Sequence, residues 1–399
     1  MLEFVSHIFV KMRYNWFYIP FMHLELFGSV KQVKVEPYIP QTLPINMQGW
    51  NWQRLALSIG RANRALAYYD GILKTMINPT LLLSPLETRE AVLSSKIEGT
   101  VTTVDEVLRY EANMKPESAL KKADIQEVLN YRSAMRGSRE WLDRELPFNL
   151  NMMYAIQAAL MEGVRGANKQ PGCVRKEQNW IGPVGCKIEQ ATYIPPEPLS
   201  LDIHLRNLVD YVNLQDEEPI IQCACYHAQF ELIHPFLDGN GRTGRILIPL
   251  FLWQKGIIQA PAFYISEYLE AHREVYYQRL NQISEQNDWE SWVSFFLEAV
   301  AIQAGENVRK AEDVLALYQS MKERIAAISQ SPKVIKILDT LFVTPIFEAS
   351  SFMKLCGLTR STTNRIMIRL KEEGILMTLQ EASGRTPETL AFQALMDLL

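Results

Sequence analysis

Residues 234–245, HPFLDGNGRTGR, gather one histidine, one aspartate, one asparagine, two arginines and three glycines. Gly-Asn-Gly ahead of a helix builds a nest of backbone N–H groups at the positive end of the helix dipole, which is an anion site. Arg242 and Arg245 stand three apart and share a helix face, and both guanidinium groups can fork onto phosphate oxygens. Asp238, beside the nest, offers a hard oxygen to a Mg²⁺ that bridges phosphates. His234, at the end of the preceding helix, is close enough to take a proton from an attacking hydroxyl. These are the parts of a phosphoryl- or nucleotidyl-transfer site. The same stretch satisfies G-x-G-x-x-G, but that dinucleotide fingerprint must follow a strand and be answered by an acidic residue about 20 positions on. PIIQCACYHAQFELI, directly upstream, reads as a helix instead. A plain helix-loop-helix turn accounts for Gly239 and Gly241, but not for the charged and polar groups around them.

The elements that must position this stretch are helical. RLALSIGRANRALAYYDGIL, LETREAVLSSKI, QEVLNYRSAMRGSREWL and NMMYAIQAALMEGV carry apolar residues at three- and four-residue spacing. QNWIGPVGCKIEQATYIPP (178–196) is bounded by Gly and Pro and reads as a hairpin turning near Gly182 to Gly185. After SQSP near residue 330, KVIKILDTLF, EASSFMKLCG and TRSTTNRIMIRLKEEG read as three short helices. ILMTL and TLAFQAL then read as a strand pair, and helix, helix, helix, hairpin is the order of a winged helix. The expected organisation is an extension over 1–45, a helical region over 46–130, a core over 131–310 and a winged-helix domain over 325–399. In LETREAVLSSKIEG, a helix ending at Gly99 puts Ser94 and Glu98 on one face. The dipole disfavours an anion at Glu98, so a nearby cation is a natural compensation.

The chain has 399 residues, 48% hydrophobic and 22% charged, enough for two or three cores. A net charge of −4 gives no global reason to expect a nucleic-acid or membrane partner. Glu3, Lys11, Arg13 and Glu25 break the apolar first 35 residues into runs short of the ~20 needed to span a bilayer. That segment is expected either to dock on the body or to precede a native start at Met12 or Met22. Five cysteines with no metal or disulfide spacing fit reduced thiols in the cytoplasm, and no structural metal is expected. His227, two turns before His234, has no third metal ligand on its face and is expected to pack in the core.

HPFLDGNGRTGR resembles the signature of the Fic family, HPF-x-(D/E)-GNGR-x-x-R. LLSPLETREAVLSSKIEGTVTT resembles that family's N-terminal helical region, and PGCVRKEQNWIG with ATYIPP its flap hairpin. The similarity covers roughly residues 45–300. It implies a mainly α Fic core with a small β-hairpin flap, and transfer of AMP from ATP onto a Ser, Thr or Tyr hydroxyl of a protein. Carried onto this chain, His234 is the general base and Asp238 holds Mg²⁺. Gly239, Asn240, Gly241, Arg242, Thr243, Gly244 and Arg245 bind the phosphates. Tyr276 and Tyr277 match a position near the adenine, with simple core packing as the other reading. Ser94, Glu98 and Gly99 match the inhibitory (S/T)-x-x-x-E-(G/N) motif, whose glutamate pairs with the second arginine, here Arg245, and keeps the γ-phosphate out of its productive position. Some members use this glutamate to remove AMP, which stays open here. Asn179, Trp180 and Ile181 of the flap are expected to dock the target by strand addition, a structural hairpin being the alternative.

In the C-terminal segment Arg360, Arg365, Arg369 and Lys371 lie on the expected recognition helix, with Arg385 in the wing, but Glu348, Glu372, Glu373 and Glu381 nearly cancel them. DNA and protein both stay open as its partner, as does a homodimer, and the rival function is a nucleotide-sensing DNA-binding regulator.

Overall fold

The computed structural model describes residues 36–76, 78–79, 83–183, 185–215, 218–384 and 386–399. The expectations on residues 1–35, on Val184 in the flap turn and on Arg385 in the wing lie outside the described residues.

Eleven described helices build the body. α1 (Trp52–Thr75) starts where the Asn51 side chain accepts from the Arg54 amide, and it buries Leu55, Ala62, Leu66, Tyr69 and Leu73 as one stripe. That stripe lies along α11 (Trp289–Ser329), a helix of 41 residues. α2 (Ser84–Ile97) carries Ser94 and is followed by the turn holding Glu98 and Gly99. Thr103 and Glu106 then form a capping box that launches α3 (Val104–Glu111). α4 (Ala119–Asp143) and α5 (Leu150–Leu160) are capped by Ser118 and Asn149 and pack together. α6 (Leu201–Val212) leads to the central pair, α7 (Pro219–Ile233) and α8 (Asn240–Gln254), with α9 (Ser266–Ala271) and α10 (Arg273–Gln286) beyond. Apart from Pro219 and Glu231, every residue of α7 is buried. A helix covered on all sides carries no polar stripe, and α7 with α8 forms the core on which the others sit.

The segment read as a hairpin over 178–196 closes on itself antiparallel but forms no extended ladder. Its pairing is a single antiparallel bridge, Ile181 to Tyr193, and the chain between them closes through a short 3₁₀ turn at Ile188–Gln190. Pro183 and the glycines on either side of it interrupt the ladder after one rung.

α11 ends at Ser329 with Gln330 in the left-handed region, and the chain then forms α12 (Val334–Val343), β1 (Ile346–Glu348), α13 (Ala349–Cys356), α14 (Arg360–Glu372), β2 (Met377–Gln380), β3 (Thr389–Ala391) and α15 (Gln393–Met396). The sheet is antiparallel in the order β1-β3-β2, with Phe347 opposite Leu390 and Thr378 opposite the same residue on the other side. The strand pair expected from the sequence is present, but a third strand, β1, precedes the helix of EASSFMKLCG. Its three residues are too short to show a period. β1 also joins the segment to the body. Ile346 and Ala391 pack with Leu108 and Ala112 of the α3 region, and Asn113 Nδ2 donates to Glu348 Oε1 at 3.3 Å.

Leu108→Ala should therefore cost about 2–4 kcal/mol in chemical denaturation. Exposed Ile368→Ala should change stability by less than about 0.5 kcal/mol.

Candidate active site

The corner between α7 and α8 is fixed from three sides before any ligand is considered. His234 closes α7 in the left-handed region at φ 49°, where a residue with a Cβ needs outside support. Arg175 supplies it. Its Nε donates to the His234 carbonyl at 2.9 Å, its amide to the Pro235 carbonyl at 2.9 Å, and its Nη2 to the Pro196 carbonyl at 2.6 Å. This guanidinium is 2% exposed, and burial lowers its pKa to about 10. Asn240 locks the other half of the corner, accepting from the Phe236 amide at 2.9 Å and donating to the Phe236 carbonyl at 2.8 Å. Gln157 donates to the Asp238 carbonyl at 3.0 Å and accepts from the Gly172 amide at 2.5 Å. Gly239 stands at φ 78°, with Met161 Sδ where a β-carbon would need room, so glycine is required there. Gly239 is the N-cap of α8, so the unpaired amides of the helix's first turn open at this corner.

His234 Nδ1 lies 3.3 Å from the Glu231 carbonyl, which fixes the proton on Nδ1 and leaves the Nε2 lone pair free. Burial lowers the imidazole pKa to about 4, so the ring is neutral at pH 7 and able to accept a proton.

The two arginines of the signature have different surroundings. Arg242 is not turned to an open phosphate site: its Nη1 donates to Glu127 Oε2 at 2.9 Å, with both side chains 5% exposed. Arg165 joins Glu127 to Asp124 at 2.9 Å each, and Asp124 accepts from the Val101 amide at 3.0 Å. Arg245 is fully buried. It donates from Nε to Ser94 Oγ at 2.8 Å, and from Nη2 to the Ser94 carbonyl at 2.9 Å and Glu98 Oε1 at 2.6 Å. Burial opposes its charge, but Glu98, the Tyr276 and Tyr277 hydroxyls and Glu231 outweigh that and push its pKa up. Glu98 Oε1 sits where a β-carbon on Gly241 would go, so only glycine lets the carboxylate reach the arginine across α8.

The remaining expected site residues divide. Ser94 is buried against Arg245, and Gly99 takes φ 97° just past the α2 end. Helix α2 ends at Ile97 with Glu98 as its C-cap, which leaves Gly99 in the C′ position expected of it. Thr243 Oγ1 donates to the Gly239 carbonyl at 2.8 Å and is spent on the turn. Tyr276 is buried with its hydroxyl 3.0 Å from His227 Nε2, while Tyr277 is 38% exposed. His227 packs between Tyr276 and Trp292, and burial holds its pKa down at about 3. Asn179 Nδ2 donates to the Phe236 carbonyl at 3.1 Å, tying the flap to the corner, whereas Trp180 and Ile181 are exposed. Asp238 accepts from the Gly239 amide at 2.7 Å and pairs with Lys169 at 3.0 Å. Among the described residues no group of three or more His, Cys, Asp or Glu side chains could hold a metal alone. Asp238 fits an ion that takes most of its oxygens from phosphates and water.

Arg175, Gln157, Glu127, Lys169 and Glu231 were not singled out in the sequence. Arg175 and Lys169 flank PGC, and nothing in their spacing shows which carbonyl or carboxylate they will meet.

Residues 56–140 match the Fic/DOC family N-terminal region and residues 147–252 the Fic/DOC family domain. A probable protein adenylyltransferase of Aquifex aeolicus is 34% identical over 85 residues, 21% of this chain and 27% of its own length. A protein adenylyltransferase of Caenorhabditis elegans is 31% identical over 90 residues, 22% of this chain and 16% of its own. The chain thus spans about a quarter or less of these curated relatives. A Fic family protein from Desulfovibrio desulfuricans superposes over 90% of this chain and 98% of its own, with TM-score 0.52 and 20% identity, which shows the fold. The chain carries both the N-terminal and the core domain of the Fic/DOC family.

Burial raises the Glu231 carboxyl to about 8, and its Oε1 is buried with no hydrogen-bond partner. Between its unfolded value near 4.5 and 8 the folded state holds a proton that the unfolded state has lost, so stability falls as pH rises through that window. Glu231→Gln should stabilise the protein at pH 8 by on the order of 1–2 kcal/mol and leave it unchanged at pH 4, read from thermal melts at both values.

Proposed function

We propose that this Fic/DOC chain transfers AMP from ATP to a hydroxyl side chain of another protein, and that Glu98 restrains it. The observation that carries the reading is Arg245, a buried guanidinium on the second turn of α8 whose partners are Ser94 and Glu98. The nest from Gly239 to Arg242 would receive the phosphates, and Asp238 would hold Mg²⁺, which when bound neutralises phosphate charge. The neutral Nε2 of His234 takes the proton of the incoming hydroxyl as its oxygen bonds to the α-phosphorus. The bond from that phosphorus to the β-phosphate bridging oxygen breaks, and pyrophosphate leaves in line with the attack.

Glu98 and the γ-phosphate compete for one cation. While Glu98 holds Arg245, the terminal phosphate lacks the partner that would align the α-phosphorus with His234. Tyr277, partly exposed beside Arg245, is the better candidate of the tyrosine pair for the adenine, since Tyr276 is committed to His227. Trp180 and Ile181 form the exposed edge that would meet the target, with Asn179 and the Ile181–Tyr193 bridge aligning that edge to the corner.

We read residues 334–396 as a winged helix with a protein partner. Arg360, Arg365 and Arg369 of α14 are exposed, but Arg369 also donates to the Ile328 carbonyl at 3.0 Å, and Lys371 is paired with Glu388 at 2.8 Å. That is a thin footprint for DNA, whose affinity comes largely from neutralised phosphates.

Labelling separates the readings. α-³²P-ATP should mark the protein and γ-³²P-ATP should not. Glu98→Gly should raise the α-label about tenfold or more, and His234→Ala should reduce it by at least about 100-fold in that background. Equal labelling of wild type and Glu98→Gly would remove the restraint, and γ-labelling would indicate phosphate transfer instead.

A further inference from the structure

The loop between α5 and the flap delivers a cation to the Asp238 carboxylate beside the nest. Lys169 Nζ lies 3.0 Å from Asp238 Oδ2, and Arg242 Nη2 approaches Asp238 Oδ1 at 3.8 Å. The approach is built rather than incidental. Gln157, 1% exposed, holds the end of the loop through the Gly172 amide and the nest through the Asp238 carbonyl. The Lys169 amide donates to the Gly166 carbonyl at 2.8 Å and the Ala167 amide to the Val164 carbonyl at 3.0 Å, so the intervening chain is a wound turn. Gly166 comes so close that Asp238 Oδ2 would lie 2.8 Å from a β-carbon there. The Lys169 side chain is about half exposed and has a flexible stem, so it can leave without disturbing the turn.

We propose that Lys169 is a positioning residue that stands in for the divalent cation at Asp238, so that metal enters the site together with the nucleotide and not ahead of it. This rests on Asp238 being the metal-binding carboxylate. With Lys169 in place, Asp238 is already neutralised, and a hydrated divalent ion gains little from one paired carboxylate. Once phosphate oxygens lie in the nest they supply the further ligands, and Asp238 exchanges its ammonium partner for the ion. The displaced Lys169 keeps a loose four-carbon tether beside the phosphates. The pairing also keeps the Asp238 loop in one shape in the nucleotide-free protein.

Mn²⁺ binding to the full chain, followed by electron paramagnetic resonance, tests the exchange. Without nucleotide, Lys169→Met should bind Mn²⁺ about fivefold more tightly than wild type, the weight of a partly exposed ion pair. Lys169→Arg, which keeps the charge, should stay within about twofold of wild type. The gain should vanish in Lys169→Met/Asp238→Asn. If Lys169→Met binds no more tightly while Asp238→Asn weakens Mn²⁺ binding in the presence of ADP, the stand-in role is wrong and the metal reading survives. If the double variant keeps the gain, the ion does not sit at Asp238 and both are overturned.

Discussion

Arg245 needs a counter-charge at all times. Its side chain is wholly buried at the start of α8, and an unpaired guanidinium there would cost several kcal/mol. Ser94 satisfies two of its donors with neutral oxygens, and among the described residues only Glu98 contributes charge at hydrogen-bonding distance. Nη1 is left buried without a partner. The site therefore holds one cation, one occupying anion and an unspent Nη1 with two N–H donors, which suits exchange of a carboxylate for a phosphate. Helix α2 keeps the carboxylate within reach because Glu90 on the same helix accepts from the Ser266 amide at 2.9 Å, while Arg89 and Lys96 pair with Glu267 and Glu270 of α9.

The rest of the corner is rigid by comparison. Arg175, Asn240 and Gln157 each hydrogen-bond backbone groups of residues 234–240, so the corner and the imidazole are held by the protein itself. The turn after Glu98 is less independent. Asp124 grips the Val101 amide and shares Arg165 with Glu127, which holds Arg242. α3 follows directly and seats Leu108 against Ile346 of the C-terminal sheet. The turn that carries Glu98 is thus continuous with both the first arginine of the signature and the C-terminal segment.

Much of this was legible in the residues. Helical periodicity located α1, α2, α4 and α5, and the residue types of the 234–245 stretch pointed to a corner between two helices suited to an anion. What the sequence hid was the direction of each side chain. Asn240, Thr243 and Arg242 read as ligands for phosphate, yet two close hydrogen bonds within the corner and the third meets Glu127, about 115 residues upstream. Tyr276 and Tyr277 are adjacent and look alike, but a helix turns about 100° per residue, so one enters the core and the other the surface. The 178–196 segment carried hairpin punctuation, and its interior proline and glycines cut the ladder to one bridge. Long-range partners such as Arg175 and Lys169 have no local pattern to reveal them.

The central claim is that a single guanidinium serves either the Glu98 carboxylate or the last phosphate of a triphosphate. Calorimetric affinities for ATP and ADP, each with Mg²⁺, in wild type and Glu98→Gly test it most directly. Removing the carboxylate should tighten ATP about tenfold and ADP less than about twofold, because only ATP carries the phosphate that takes its place. Equal gains for the two nucleotides, or none for either, would contradict the account.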